Sequence, residues 1–299
     1  MTTPPRLLPL LQFSRYRTTA WRLIPIMKRL LLLCLVLVTL PILYTNLPVG
    51  IDWRDTYQPA ALAVLHGQSP YVVEIYYAAP WAAWAMVPFA VLPYQLGRLI
   101  TFLVGLGAFG YIAWRLGAKP LVMVLFLCSA AVVGCLNNGN IEWMPLLGIV
   151  LPPQIGLIFL AVKPQVGVGL GVYWLITIWN EKGWHEVTRV FAPVSVLLVI
   201  SIALYGFWFL RFRQTLAWSV DNTSTGFYGA AVGAIFLIRA IRSKDERMAL
   251  ASGPLLSPYA LQFTWSALLI YLLDKPLELL VVVIILWIPV ILRVLDISY

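Results

Sequence analysis

Apolar stretches long enough to cross a bilayer recur along almost the whole chain, and few folds can accommodate that pattern. A soluble domain carries roughly 25% charged residues. Here 11% of the 299 residues are charged and 61% are hydrophobic, with a mean hydropathy of +0.87. A soluble fold of this size cannot hide so much apolar surface. The runs do not alternate apolar and polar residues, which excludes a membrane β-barrel. The sequence therefore predicts an all-α, multi-pass transmembrane bundle. About 9–11 spans are expected, counting short half-spans and one interfacial helix.

The formal net charge is +9, but the basic residues flank apolar runs. They read as orientation signals rather than as a nucleic-acid surface. Residues 1–29 contain Arg6, Arg15, Arg17, Arg22, Lys28 and Arg29 and no acid, which places this segment in the cytoplasm. Residues 30–299 are expected to form a single transmembrane domain. The run Leu30 to Leu47 is too long for a signal core and reads as a retained first span. Cys34, Cys128 and Cys135 lie in apolar runs without a Cys-x-x-Cys pattern, and His66 and His185 are far apart. Neither a disulfide framework nor a metal site is expected.

Alternation from the basic N-terminus sets the rest. The first span delivers residues 48–75 to the outer face. Residues 76–93, with Pro80, Pro88 and Pro93 among Tyr76, Tyr77, Trp81 and Trp84, read as an outer interfacial or re-entrant helix. Spans follow at 97–114 and 119–136. Pro152-Pro153 splits the next run into two half-spans that return Lys163 to the outer face. Further spans are expected at 166–179, 190–210, 226–241 and 249–273. An outer turn at Asp274-Lys275 leads to the last span at 276–294, so that both termini are cytoplasmic. Of the 21 basic residues, 15 then lie inside. Arg54, Arg98, Lys163, Arg211, Arg213 and Lys275 lie outside, against the rule, and are candidates for function.

Polar groups converge on that outer side. Asp52, Arg54 and Asp55 stand in the first loop, near Tyr57. Asn138, Asn140 and Glu142 follow the third span, Lys163 and Gln165 the half-spans, and Arg211, Arg213 and Asn222 a later span. Each alone also fits a solvated loop pair, a turn or a snorkelling side chain. Together they describe a carboxylate base with amides and cations, which suits a phosphate-bearing donor.

The order of landmarks resembles the GT-C class of membrane glycosyltransferases, and within it family 87. That family contains polyprenyl-phosphate-dependent mannosyl- and arabinofuranosyltransferase-like proteins. The resemblance is carried by Asp52-Trp53, Tyr57, Gly67 to Tyr71, Tyr77 to Pro80, Asn138-Gly139-Asn140, Lys163-Pro164-Gln165, Asn222-Thr223-Ser224 and Ser257-Pro258. It covers about residues 30–275.

The resemblance implies a GT-C-like bundle and inverting transfer of a sugar from a polyprenyl-phosphate donor to a lipid or glycan acceptor at the outer face. Asp52 is then the catalytic base. Arg54, Asp55, Tyr57, Asn138, Asn140, Glu142, Lys163, Gln165, Arg211, Arg213 and Asn222 are the donor-phosphate and substrate-binding candidates. No cofactor is required, a divalent metal included. The chain departs from the family in its shorter length after Gly226. Tyr259 to Phe263 also stand where an acid and histidines are usual. Two rival classes remain: a transporter or flippase for a lipid-linked or anionic substrate, and a diverged, non-catalytic membrane scaffold.

Overall fold

The computed structural model describes residues 37–217 and 222–295. The basic segment 1–29, the start of the expected first span with Cys34, and Asp221 lie outside them. The chain divides into two compact units, Met1–Leu47 and Pro48–Tyr299. The described part of the first is one apolar helix, α1 (Leu37–Asn46).

The second unit opens with a π-helical turn, Trp53–Tyr57, that runs on into α2 (Gln58–Leu65). Next come α3 (Pro80–Ala90), α4 (Tyr94–Arg115), α5 (Pro120–Leu127), α6 (Ala130–Asn138), α7 (Trp143–Leu147) and α8 (Pro153–Leu160). The chain continues through α9 (Pro164–Tyr205), α10 (Gly226–Ser243), α11 (Glu246–Leu256), α12 (Ser266–Tyr271) and α13 (Pro276–Val294). Five of these helices begin on proline, whose fixed φ suits a first turn and whose missing N–H is not needed there. Many prolines that punctuate the apolar runs are therefore helix starts.

Among the described residues the fold is all-helical. Four helices are long and apolar enough to cross a membrane: α4, α9, α10 and α13. The pair α5 and α6, bent by 53°, makes a fifth. The expected nine to eleven is approached only by counting short helices. Helix α3 has 11 residues and its Pro80, Trp81, Ala82, Ala83, Met86 and Ala90 are buried, so residues 76–93 contain no full span.

Helix α4 runs from beside Gly50 and Asn138, which flank its Arg98, to Leu116 at the opposite end. The α5–α6 pair returns, and α7 and α8 form a broken hairpin that brings Lys163 back to Asn140. As one straight rod, the 42 residues of α9 would reach ~63 Å. Its two ends instead come back to one region. Lys163 lies 5.9 Å from the Tyr57 ring, and Tyr57, Tyr76, Tyr71 and Tyr205 follow at centroid spacings of 6.3, 5.5 and 6.5 Å. The fold-back is at Gly183, whose φ of 77° and ψ of −178° are not helical. The polar loop expected at 180–189 is thus helix, sharp bend and helix.

One expected span is corrected. Residues 249–273 are not one long helix; they form a hairpin. Helix α11 rises toward the Asp52 end and stops at Ser257, because the residue before a proline is pushed out of helical geometry. The Ser257 hydroxyl donates to Tyr259 O at 2.5 Å and accepts from Tyr259 N. The turn is tied to the start of α10 by Thr223 N–H donating to Ala260 O at 2.7 Å. A 3₁₀ turn (Gln262–Trp265) and α12 then descend again. Tyr271 and Asp274 end beside Leu116 and Lys244 to Arg247, around a cavity of about 670 Å³.

Helix α13 consequently starts at the Leu116 end. It packs along α5 and α6, with Trp287 donating to Cys128 O at 3.0 Å, and heads toward the Asp52 end. The expected placing of Asp274-Lys275 and of the last helix is reversed relative to Asp52. The outward faces of α13 carry Leu277, Val281, Ile284, Ile288 and Ile291, all exposed, as a lipid-facing helix would.

Candidate functional site

Asp52 owes its position to its neighbour. Trp53 is wholly buried, in contact range of Gly97 on one side and Gly139 on the other. Gly139 ends α6 in left-handed geometry, φ 70°, and a Cβ there would stand 2.6 Å from the Trp53 Cβ. Only glycine serves such a turn without strain. Arg98 steadies the same turn: its Nη2 donates to Leu136 O at 2.6 Å and to Asn137 O at 2.8 Å, capping the carbonyl end of α6. With Trp53 locked inward, the preceding Asp52 is left half-buried.

From Asp52 a line of polar groups runs into the protein. Asn140 Nδ2 donates to Asp52 Oδ2 at 2.7 Å. Lys163 Nζ donates to Asn140 Oδ1 at 2.6 Å and to Glu142 Oε2 at 2.5 Å. Asn140, Glu142 and Lys163 are all buried, as is Tyr57, whose ring faces Nζ. Glu142 Oε1 has no hydrogen-bond partner among the described residues. The line joins the loop before the π-turn to the turn after α6 and the N-terminus of α9, segments about 90 to 110 residues apart in sequence at its extremes.

Burial raises the Asp52 carboxyl above its ordinary 3.8, outweighing the Asn140 hydrogen bond and the Lys163 charge, which lower it. Burial alone would lower Lys163, but Glu142, Tyr57 and Asp52 together outweigh it and hold the ammonium above the usual lysine range. Lys163 is therefore charged, and that charge is matched by a carboxylate 2.5 Å away.

The other candidates sit apart from this line. Arg54 and Asp55 pair with each other at the surface, 2.6 Å from Nε to Oδ1. Asn138 is half-buried and donates to Gly134 O within its own helix. Gln165 is half-buried in the first turn of α9. Asn222 organises the turn before α10, accepting from Ser224 N and Ala260 N. Arg211 donates to Tyr71 O and lies over the Tyr71 ring, 5.5 Å from its centroid. Arg213 on the same 3₁₀ segment, Trp208–Ala217, is exposed.

An aromatic wall connects the two regions. Tyr71 stacks on Trp208 at 5.9 Å and 10°, and Tyr76 bridges Tyr71 to Tyr57. The sequence marked Arg98 as a cation on the wrong side by charge and Trp53 as the aromatic beside Asp52, but assigned neither a structural task. Trp208 had no signal in so aromatic a chain.

Among the described residues no group of three or more His, Cys, Asp or Glu is arranged to hold a metal ion. No protein-family model, no curated protein and no solved structure matches the chain. The chemistry of the site itself has to carry the functional reading.

Proposed function

We propose that the protein is a membrane glycosyltransferase that moves a sugar from a polyprenyl-phosphate donor to a lipid or glycan acceptor, with Asp52 as the base. The observation that carries this is the half-buried Asp52, its carboxyl raised by burial and held by Asn140. A carboxylate so placed is accessible, oriented and more basic than an ordinary aspartate. The acceptor hydroxyl gives its proton to Asp52 as its oxygen bonds to the sugar's anomeric carbon. The bond from that carbon to the donor phosphate breaks on the opposite face, inverting the carbon, and the electron pair leaves with the polyprenyl phosphate. Arg213, exposed, and Arg211, half-buried beside Tyr71, suit the leaving phosphate better than Lys163, whose charge is taken up by Glu142. The long exposed apolar helices suit a lipid-linked donor and a location in the cell membrane.

A second reading, transport of a lipid-linked or anionic substrate, is favoured by one observation. The hairpin α7–α8 enters from the Asp52 end, and the hairpin α11–α12 enters from the other. Opposed broken helices around a polar centre also occur in transporters.

One experiment separates the readings. Purified protein in liposomes is given labelled polyprenyl-phosphate sugar and acceptor lipids, wild type beside Asp52→Asn. Transfer by the wild type that the variant loses supports the enzyme. Movement of intact donor across the bilayer without transfer supports the transporter and overturns the enzyme.

A further inference from the structure

Of the remaining features, the 670 Å³ cavity at the Leu116 end has the size of a ligand pocket, but four of its five charged side chains are spent on the protein. Lys244 pairs with Glu181, Glu246 accepts from Trp174 Nε1, Arg247 donates to Leu116 O, and Asp245 caps α11. The buried line behind Asp52 carries more, because its donors and acceptors can be ordered without ambiguity.

An ammonium has three donors and no acceptor. The Asn140 atom facing Lys163 Nζ must therefore be the amide oxygen, which turns the amide NH₂ toward Asp52. Asp52 Oδ2 receives that N–H and so serves as the acceptor. Lys163 in turn is fixed by Glu142, and every member behind Asp52 is buried. The amide cannot flip without setting its NH₂ against an ammonium and its oxygen against a carboxylate.

We infer that Asn140, Lys163 and Glu142 are positioning residues that lock the polarity of this line and leave Oδ1 of Asp52 as the single oxygen that gains and loses the proton. This rests on the reading of Asp52 as a base and reassigns three residues first read as ligands of the donor phosphate. Under it, none of the three touches substrate. Asn140 selects the reacting oxygen, Lys163 selects the orientation of Asn140, and Glu142 keeps Lys163 charged in a buried place.

The other ionisable group that acts on Asp52 is Asp55, which is already paired with Arg54 at the surface; Tyr57 and Cys135, both buried, face the Asp52 charge without shifting it. Of the groups that act on Asp52, Asn140 is the one that donates a hydrogen bond to it, and losing that donor raises Asp52 further. Lys163 lowers Asp52 and Glu142 raises it, so removing both together changes Asp52 by less.

The test reads the protonation of Asp52 without relying on sugar transfer. Intact protein in liposomes is treated with a hydrophobic carbodiimide, which modifies protonated carboxyls, across a pH series. Modification of the Asp52 peptide is followed by mass spectrometry. In wild type the labelling midpoint lies above 3.8. In Asn140→Leu it moves up by about one pH unit or more, the size expected for loss of a hydrogen bond to a charged group. In the charge-neutral double variant Lys163→Met with Glu142→Gln it moves in the same direction by less. The double variant guards against misfolding, because it leaves no unpaired buried charge.

An unmoved midpoint in both variants overturns the relay, and active wild type would then leave the transferase reading intact. A moved midpoint in a wild type background that transfers no sugar from any donor supports the relay and overturns the transferase. Where transfer is measured, the acid limb of its pH profile moves with the labelling midpoint; a fall in rate with no movement of that limb also overturns the relay.

Discussion

Two lysine–glutamate pairs of the same length stand at opposite ends of the bundle. Lys163–Glu142 and Lys244–Glu181 both measure 2.5 Å from nitrogen to oxygen. In the first, side-chain exposure is 5% and 0%; in the second it is 72% and 48%. Distance therefore says nothing about their difference in consequence. Water screens the exposed pair and solvates either partner if the other is removed. The buried pair has no such reserve, so each of its members depends on the other. Function should be sensitive at the Asp52 end and indifferent at the Lys244 end.

The largest effect is expected at the tip of the buried line. Asp52→Asn keeps the shape and removes the base, and loss of a general base lowers rate by about 10²–10⁴-fold. The labelled-donor assay measures this, and folding should be unchanged because Asp52 is half-buried. The next effect is on folding. Glu142→Gln or Lys163→Met singly leaves a buried charge without its partner, at a cost of about 3–5 kcal/mol. Thermal unfolding in detergent should show the loss in each single variant and recover most of it in the double. Equal loss in the double and the singles would break the claim that this pair is a unit.

The pH dependence follows from the direction at Asp52. Its folded value is raised, so the fold favours the neutral carboxyl. That contribution to stability is full below the unfolded value and is lost as pH rises through the folded one. Activity has the opposite sense, since the base works when ionised. Transfer should rise with pH through an acid limb above 3.8, while thermal stability declines slightly across the same window.

The all-helical fold and the bilayer-length helices were legible in composition and run length. So was the hairpin at Pro152-Pro153, because two adjacent prolines leave a helix no way through. The stretch 249–273 was not legible as a hairpin. It is apolar throughout, and its turn depends on Ser257-Pro258 meeting residues before α10. Charge counting could not expose the error. Reversing the last helix exchanges Lys275 for Arg293 between the two ends and leaves the balance of basic residues the same. Asp52, Asn140, Glu142 and Lys163 were each visible as polar residues out of place. Their order as a line was not, because hydrogen-bond direction is set by three-dimensional approach rather than by spacing.

A smaller effect tests how the tip is aimed. Gly139→Ala places a methyl against Trp53 in a left-handed turn. Overpacking of that kind costs about 1–3 kcal/mol. Trp53 or the turn must shift to relieve it, and either movement carries Asp52 or Asn140 with it. The variant should therefore lose more activity than its stability loss explains. An equivalent stability loss placed at the Lys244 end should not. If both lose activity in proportion to stability, the two ends are not functionally distinct.

The smallest effect is the exposed pair itself, and its size decides how the comparison is read. Lys244→Ala removes the partner of Glu181 where water can take its place. Lys244 occupies the left-handed residue that closes α10, φ 55°, so alanine keeps a backbone strain already present rather than adding one. Unfolding temperature should stay within experimental scatter of the wild type at physiological salt, with any difference fading as salt increases. Sugar transfer and the Asp52 labelling midpoint should not change, because the pair lies a full helix length from Asp52. If Lys244→Ala instead shifted that midpoint, the two ends would be coupled through α9 and α10. A conformational change between them would then be needed, and that result would favour transport over sugar transfer.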